Sequence, residues 1–267
     1  MRKEIKVINQ KEKIIQITTI DERWYARESQ SKKTGLPEYG YYPSSTWIAG
    51  YYPKGIGFYK WLADKGWDEA EALKVAAGEK GSKVHQATEI LEKGETISID
   101  SMLINPRTLE SEELTVEEYE AIISYGNWFN ATKPEVLAVE MVVFNEENVY
   151  AGTLDRIMRI DGQIWIVDLK TGKSIWQEHI LQISSYSHAD IDYKELKITD
   201  EEWKNRKVAT LQIGYQLNKN RYKFTEQPDK FDLFLNAKQT WANENPEAKP
   251  KQRDLPLSIK LELPKKK

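Results

Sequence analysis

Residues 137–170 read LAVEMVVFNEENVYAGTLDRIMRIDGQIWIVDLK, and this stretch decides the fold. Its apolar residues recur at about every second position over Leu137–Phe144, Val149–Ile160 and Gln163–Lys170. This period of two, in segments rich in Val, Ile and Trp, is typical of β-strands. The stretch therefore predicts three consecutive strands joined by short turns.

Helical spacing of apolar residues is found on both sides of this meander. The predicted helices are Phe58–Lys65, Asp68–Lys93 and Val116–Thr132 before it, and Glu178–Ile191 and Asp229–Asn243 after it. Val208–Leu217 and Arg221–Phe224 predict a further hairpin through Asn218–Asn220. Helices before and after the strands indicate the α+β class, with a central mixed β-sheet flanked by helices.

Two local signals refine the helices. Thr115, followed by Glu118 three residues later, predicts a capping box that opens the third helix. Gly78 and Gly81 fall in the middle of the second helix, where glycine is unfavourable. A break or a close backbone approach is expected there.

The chain is expected to have three parts. Residues 1–42 comprise a short strand at Lys13–Thr18 and a basic connection, residues 43–245 form the main domain, and residues 246–267 are a basic tail rich in Pro and Lys. Residues 36–57, which are rich in Tyr, Pro and Gly, are expected to be irregular.

The two ends of the chain are basic and a long inner region is acidic. Residues 1–33 carry nine Lys/Arg against five Asp/Glu, residues 249–267 seven against two, and residues 68–147 six against eighteen. Basic ends could supply contacts to phosphates, and solvated ends of no special role explain the pattern equally well. Charge alone does not decide the function.

The chain contains no cysteine. Disulfides, thiolate zinc sites and iron–sulfur clusters are therefore excluded, and the cytoplasm is the expected location. No apolar run reaches the length of about 18 residues that a membrane span needs. The N-terminus lacks the apolar core of a signal peptide, and no membrane partner is expected.

The dipeptide Asp161–Gly162 predicts the geometry of a site. It is a strong signal for a two-residue hairpin turn, and such a turn fixes the register of its two strands. Counting back from the turn places Asp155 opposite Asp168, and Thr153 opposite Lys170. Opposed residues share one face of a sheet, with Cβ atoms about 4.5–5.5 Å apart.

Two carboxylates in this arrangement need a partner, because like charges directly opposite each other destabilise a sheet. Either the pair shares a proton, or a divalent cation lies between the two groups. Lys170 projects from the same face as Asp168 and is placed to orient a water or to stabilise charge on a phosphate. The spacing favours a metal-dependent phosphoesterase that uses Mg²⁺ or Mn²⁺.

A third carboxylate depends on the register of the first hairpin. If Phe144 pairs with Val149, Glu140 lies opposite Thr153 on the face of Asp155. A slip of one residue would remove it from that face, because side chains alternate along a strand. Glu140 is thus a conditional member of the site.

The predicted helix after the third strand carries a polar stripe. His179, Gln182 and Tyr186 lie on one face of that helix, which can pack across the sheet near the carboxylates. An ordinary amphipathic helix explains the same stripe without any role in a site.

Four motifs in order resemble those of a known nuclease family. They are GSKVH (Gly81–His85), GTLD (Gly152–Asp155), IVDLKTG (Ile166–Gly172) and QISSY (Gln182–Tyr186). Together with PSST (Pro43–Thr46), they resemble the RecB-like branch of the PD-(D/E)XK superfamily, which includes Cas4-like and phage recombination exonucleases. The resemblance covers residues 43–190 and implies a restriction-endonuclease-like core.

The resemblance also implies a role for each matching residue. His85, Asp155 and Asp168 would hold Mg²⁺ or Mn²⁺ together with the backbone carbonyl of Leu169, and Lys170 would be catalytic. Glu140 joins the catalytic set through the register argument alone.

Outside the metal site, Gln182 and Tyr186 would contact DNA or support the site, as would Ser45 and Thr46 of the PSST element. His179 matches no motif and His188 matches none either, so both are read as ordinary helix residues. The expected partners are DNA and a single-strand annealing or recombination protein.

The function that the resemblance implies is a metal-dependent deoxyribonuclease of the exonuclease type, acting in recombination, repair or phage DNA processing. The absence of cysteine departs from the branches that carry an iron–sulfur cluster and fits a stand-alone phage-type member. Two other classes fit parts of the pattern. One is a catalytically inactive DNA- or partner-binding module, and the other is a carboxylate-pair hydrolase such as a glycosidase, which needs no metal.

Overall fold

A central mixed β-sheet and seven helices make the described part of the chain an α+β structure. The computed structural model describes residues 4–9, 13–19, 22–30 and 37–251. Within these ranges there are three sheets, of four, five and two strands. Of the tail predicted at residues 246–267, the part from residue 252 onward lies outside the described residues.

The N-terminal region forms an antiparallel sheet of four strands. They are β1 (Glu4–Asn9), β2 (Ile14–Thr18), β3 (Arg23–Gln30) and β4 (Pro37–Pro43). The expectation of one strand and a charged connection is therefore wrong except for β2. Three consecutive residues of β3, Trp24, Tyr25 and Ala26, are all buried, because this strand is covered on both faces. A strand covered on both faces lacks the alternation that would reveal it in the sequence.

Strand β4 corrects the expectation that residues 36–57 are irregular. Tyrosine favours strands, and both prolines stand at the ends of β4, where a proline is tolerated. Ser45–Ala49 then form helix α1, whose N-cap Ser44 accepts a hydrogen bond from the Trp47 backbone N–H at 3.1 Å.

Two helices follow, α2 (Ile56–Lys65) and α3 (Trp67–Glu92). Helix α3 runs without interruption through Gly78 and Gly81, so the expected break is wrong. Each glycine costs a helix about 1 kcal/mol relative to alanine. The packing of the C-terminal half of α3, where Val84 is fully buried, outweighs that cost.

A short hairpin and a long helix precede the central sheet. The hairpin consists of β5 (Met102–Ile104) and β6 (Ser111–Glu113), and helix α4 (Val116–Thr132) has the predicted bounds. The predicted capping box is confirmed: the Glu118 N–H donates to the Thr115 hydroxyl at 3.3 Å, and the Thr115 N–H donates to the Glu118 carboxylate at 2.8 Å.

The central sheet has five strands in the order β11-β10-β9-β8-β7. They are β7 (Glu135–Asn145), β8 (Tyr150–Ile160), β9 (Gln163–Lys170), β10 (Lys207–Ile213) and β11 (Tyr222–Gln227). Strands β9 and β10 are parallel and all other neighbours are antiparallel, which makes the sheet mixed. The predicted meander of β7, β8 and β9 and the predicted hairpin of β10 and β11 are both confirmed.

Three helices complete the fold. Helices α5 (Gln177–Ser187) and α6 (Asp200–Lys204) lie in the connection from β9 to β10, and α7 (Phe231–Glu244) follows β11. Helix α5 ends before the expected Ile191, because the chain turns toward β7 and the Asp190 N–H donates to the Phe144 carbonyl at 2.7 Å. Among the described residues, no helix combines the length and the apolar character that crossing a bilayer requires.

The N-terminal sheet shares a hydrophobic core with the rest of the chain. Trp24 of β3 packs edge-on against Trp47 and Trp241, with ring centroids 5.3 and 5.6 Å apart. The same cluster includes Tyr150 of β8 and Leu181 of α5. The expected boundary between residues 42 and 43 falls inside β4.

Candidate active site

The β8–β9 hairpin has the register that the Asp161–Gly162 turn predicts. The pair of this ladder farthest from the turn is Arg156 with Val167. Asp155 and Asp168 are the next residues beyond that pair, one on each strand, and both are buried. The backbone N–H of Leu169 donates to Asp155 Oδ2 at 2.7 Å. The two carboxylates thus lie at the same end of the hairpin, as the sequence predicts.

Asp168 forms an ion pair with Lys170. The Lys170 Nζ lies 2.9 Å from Oδ1 and 2.7 Å from Oδ2 of Asp168. Burial raises the pKa of Asp168, Lys170 lowers it, and the charge of Asp155 raises it further, so the pKa is above its ordinary value. Burial lowers the pKa of Lys170, but Asp168 and Asp155 raise it more. The two aspartates therefore favour the protonated, cationic form of Lys170.

Glu140 lies on the face of the site although its register differs from the expected one. Asn145 pairs with Tyr150, and Val142 rather than Glu140 is opposite Thr153. The difference is two residues, so the side chain of Glu140 stays on the same face. The backbone of Glu140 has a φ of 45°, a left-handed conformation that is strained for a residue other than glycine.

His85 of α3 connects the carboxylates with the end of β9. Its Nδ1 lies 3.3 Å from Glu140 Oε1 and 3.8 Å from Asp155 Oδ1, and its Nε2 lies 3.2 Å from the Leu169 carbonyl oxygen. Burial lowers the pKa of His85, but Asp155 and Glu140 raise it above its ordinary value. In the absence of a cation these anions favour the protonated ring, so a metal would have to displace a proton.

The fully buried Arg156 donates hydrogen bonds to Glu140 and to the backbone of Asp155. Arg156 Nε donates to Glu92 at 2.8 Å, and its Nη1 donates to the Asp155 carbonyl at 2.8 Å and to Glu140 at 3.2 Å. Its Nη2 donates to the Thr88 hydroxyl at 3.0 Å. Arg156 therefore ties α3 to the strand that carries Asp155 and to the side chain of Glu140.

Helices α1 and α5 form the opposite wall of the site. Gln182 Nε2 donates to the Tyr186 hydroxyl at 2.8 Å and to the Thr46 hydroxyl at 2.9 Å. Ser45 is buried and donates to the Ala151 carbonyl at 3.2 Å, so it joins α1 to β8 instead of facing the site. Burial raises the pKa of Tyr186 well above its ordinary value, and its hydroxyl stays protonated.

The close approach of Tyr186 to Gly152 leads to a first prediction. A Cβ atom at Gly152 would lie 3.1 Å from Oη and 3.2 Å from Cζ of the fully buried Tyr186, and even closer to the ring edge. Gly152→Ala should destabilise the protein by about 1–3 kcal/mol, because the ring has no room to move. It should also separate Tyr186 from Gln182 and reduce activity.

Chemical unfolding of the purified Gly152→Ala variant would measure this effect. Gly126→Ala is the matched control, since a Cβ at that position of α4 meets no atom within 4 Å. The control should gain about 0.5–1 kcal/mol from the better helix propensity of alanine. Equal stability of the Gly152→Ala variant and the wild type would contradict the described packing.

One pocket of about 360 Å³ collects the predicted groups. All of the predicted side chains line it except those of Ser45 and Leu169, and Leu169 contributes its carbonyl next to His85. The pocket also contains side chains that the sequence did not single out as site residues: Arg23, Tyr25, Thr153, Glu178 and His179. Thr153 precedes Asp155 by two residues on the same strand, and this spacing could have revealed it. Nothing in the sequence linked Arg23 and Tyr25 of β3 to the site.

His179, which matches no motif, also lines the pocket. Its Nδ1 accepts a hydrogen bond from the Trp176 backbone N–H at 3.3 Å, so the proton of the neutral ring is on Nε2. Burial, together with the charges of Lys170 and Lys54, lowers the pKa of His179 to about 3. His179 precedes Gln182 by three residues on the same face of the helix, and this spacing was the signal in the sequence that placed it near the site.

His179 leads to a prediction for the pH dependence of stability. A depressed pKa in the folded state means that protonation favours the unfolded chain, in which the pKa is about 6.5. The contribution is fully present above pH 6.5 and is lost as the pH falls toward 3. The loss should approach about 1.4 kcal/mol per pH unit in that window.

Urea unfolding of the wild type and of His179→Gln between pH 4 and 8 would measure the contribution of His179 to the free energy of unfolding. The difference between their unfolding free energies should be constant above pH 7 and should shrink or reverse as the pH falls. A difference that grows in favour of the wild type on acidification would show instead that the folded protein binds the proton at His179.

The residues present fit a divalent metal ion. Ligand atoms of His85, Glu140 and Asp155 lie within 4.8 Å of one another. Asp168 is buried beside them, and its Oδ2 lies 2.7 Å from the Lys170 ammonium. Carboxylate oxygens with a single imidazole suit Mg²⁺ or Mn²⁺.

Comparison with known proteins adds no family to this geometry. No protein-family model matches the chain, and no curated protein matches it at a significant level. The function is therefore argued from the site and from the sequence motifs.

Proposed function

We propose that the protein is a deoxyribonuclease that depends on Mg²⁺ or Mn²⁺. The observation that carries the proposal is the meeting of His85, Glu140 and Asp155 beside the ion pair of Asp168 and Lys170 in one pocket. Acidic metal ligands next to a lysine that stays protonated suit the hydrolysis of a phosphodiester, in which negative charge grows on the phosphoryl oxygens. The motif resemblance to RecB-like nucleases supports DNA as the substrate.

In this proposal the metal ligands and Lys170 have different roles. A bound divalent cation would supply a water of lowered pKa and would polarise a phosphoryl oxygen. The residues that would hold it are His85, Glu140, Asp155 and Asp168, with the carbonyl of Leu169. Lys170 remains cationic next to Asp168, so it is placed to neutralise charge on the phosphate and to orient the attacking water.

The opposite wall supplies neutral hydrogen-bonding groups. Gln182 and Tyr186 are already joined to each other and to Thr46, which limits their rotation. His179 presents a neutral ring with its proton on Nε2. The Tyr186 hydroxyl and the His179 Nε2–H suit the non-reacting phosphate oxygens of a strand, because they donate to these oxygens without competing with the metal ligands, while Gln182 holds Tyr186 in place.

The resemblance adds the remaining parts of the proposal. They are a restriction-endonuclease-like core, exonucleolytic action in recombination, repair or phage DNA processing, a cytoplasmic location, and a single-strand annealing or recombination protein as partner.

The test is incubation of the purified protein with 5′- and 3′-labelled linear, circular and single-stranded DNA in Mg²⁺, Mn²⁺ or EDTA. We expect products in one or both metals, no products in EDTA, and recovery when excess metal is returned. The end that is degraded and the behaviour of circular DNA give polarity and the need for an end.

Other results would contradict the proposal. Salt-sensitive DNA binding without products in either metal would favour an inactive binding module. Hydrolysis of a glycoside or another substrate that survives EDTA would favour a metal-independent carboxylate pair.

A further inference from the structure

Helix α2 exposes an unusual amount of apolar surface. None of its ten residues is buried. Ile56 is 71% exposed, Tyr59 53% and Trp61 38%. Exposed apolar patches of this kind mark binding surfaces.

Three aromatic rings of α2 form one continuous surface. The ring centroid of Phe58 lies 5.6 Å from that of Tyr59 and 5.9 Å from that of Trp61. These three side chains are called the aromatic platform below. Their spacing leaves the outer faces of Tyr59 and Trp61 accessible to a further flat ring.

The aromatic platform is connected to the pocket through two side-chain contacts. The Lys54 ammonium lies 5.7 Å from the centroid of the Phe58 ring and forms an ion pair with Glu178. Glu178 lines the pocket, as do Thr46 and Gly50 at the other end of the segment that leads into α2. A chain that enters the pocket therefore passes close to the platform.

Lys60 supplies the charge on α2 that suits a polyanion. Lys54 pairs with Glu178 and Lys65 with Glu69, and Asp64 is the acidic residue of the helix. Lys60 has no ion-pair partner among the residues that the structure describes. By contrast, the groove beside Trp67 on α3 is lined by acidic side chains, including Glu71.

We propose that the aromatic platform stacks unpaired bases of the DNA strand whose backbone enters the pocket. Flat exposed rings flanked by lysines are how proteins bind single-stranded nucleic acid, since every base offers a π-face and every linkage a negative charge. Bases within a duplex already stack on each other, so the platform selects single strands or opened ends. This inference rests on the proposed nuclease function for the role of the pocket.

The experiment compares Tyr59→Ala/Trp61→Ala with the wild type. Binding of a fluorescent oligothymidylate is measured by anisotropy in EDTA, and hydrolysis is measured in Mn²⁺ with the same oligonucleotide and with thymidine 5′-(p-nitrophenyl) phosphate. The double variant should bind the oligonucleotide about tenfold or more weakly. Its kcat/KM should fall similarly for the oligonucleotide and should be unchanged for the small ester, which is too short to reach α2.

Trp67→Ala is the matched control. Trp67 is 71% exposed, as exposed as any ring of the platform, but it stands beside acidic side chains. This control should bind the oligonucleotide like the wild type. Circular dichroism should show the same helix content in all three proteins, because the substituted side chains are exposed.

The outcomes separate this inference from the proposed function. Unchanged oligonucleotide binding, or an equal loss in the control, overturns the platform, as does self-association that the double variant abolishes while DNA binding persists. Weaker binding by the double variant together with no hydrolysis of either substrate by any protein supports the platform and contradicts the nuclease. An equal loss on both substrates shows that the substitutions disturb the pocket and overturns the base-stacking role.

Discussion

Asp168→Asn should abolish metal-dependent DNA hydrolysis while leaving the protein folded. Asparagine has nearly the same shape as the buried aspartate, but it lacks the negative charge that pairs with Lys170 and that would attract a metal ion. Loss of such a ligand should reduce kcat by at least about 10³-fold, since charge stabilisation at the reacting phosphate is lost. The measurement is degradation of labelled linear DNA in Mg²⁺ and Mn²⁺, with circular dichroism to verify the fold.

Two further variants sharpen this test. Lys170→Ala should be as inactive as Asp168→Asn, because the cation next to the metal ligands is removed. Asp161→Asn is the matched control: Asp161 is exposed in the β8–β9 turn with a φ of 49°, which asparagine tolerates. If Asp168→Asn and the control were both fully active, the proposed role of the pocket would be contradicted.

Arg156→Met should cause the largest loss of stability. Arg156 has no exposed surface, and the Glu92 carboxylate that it neutralises is only 4% exposed. Removing one partner leaves the other charge buried, which costs about 3–5 kcal/mol. The midpoint of thermal unfolding should therefore fall by roughly ten degrees for a domain of this size.

The double variant Arg156→Met/Glu92→Leu gives the decisive comparison. Replacing both charges removes the unpaired group, so most of the stability should return. Activity should not return, because Glu140 and the backbone carbonyl of Asp155 lose the donors that hold them.

Arg159→Met is the control for Arg156, since it removes an arginine of the same strand whose ion pairs are on the surface. It should cost less than about 1 kcal/mol. A double variant as unstable as Arg156→Met, or one with full activity, would contradict the described network.

The sequence predicted the part of the site that local geometry controls. A two-residue turn admits one register, and the observed ladder from Arg156–Val167 to Ile160–Gln163 has the register that Asp161–Gly162 predicts, with Asp155 and Asp168 next to its last pair. The β7–β8 connection is longer and admits several registers. Glu140 remained on the face of the site because the actual register differed by an even number of residues.

The parts that were missed depend on tertiary contacts. Strand β3 is buried on both faces by elements that are distant in the sequence, so its own pattern carries no strand signal. Arg23 and Tyr25 reach the pocket only because β3 packs against β8, where the Tyr25 hydroxyl lies 2.9 Å from that of Thr153. The orientation of His179 depends likewise on how α5 packs over the sheet.

The parallel pairing of β9 with β10 has a consequence for when the pocket exists. Because parallel strands require a long crossover, α5 lies in the connection between them, and its position depends on a strand that is synthesised later. Contacts over such separations form late in folding, since closing long loops is entropically costly. A chain emerging from the ribosome carries the acidic hairpin first and gains the wall with Gln182 and Tyr186 only after β10 has been synthesised.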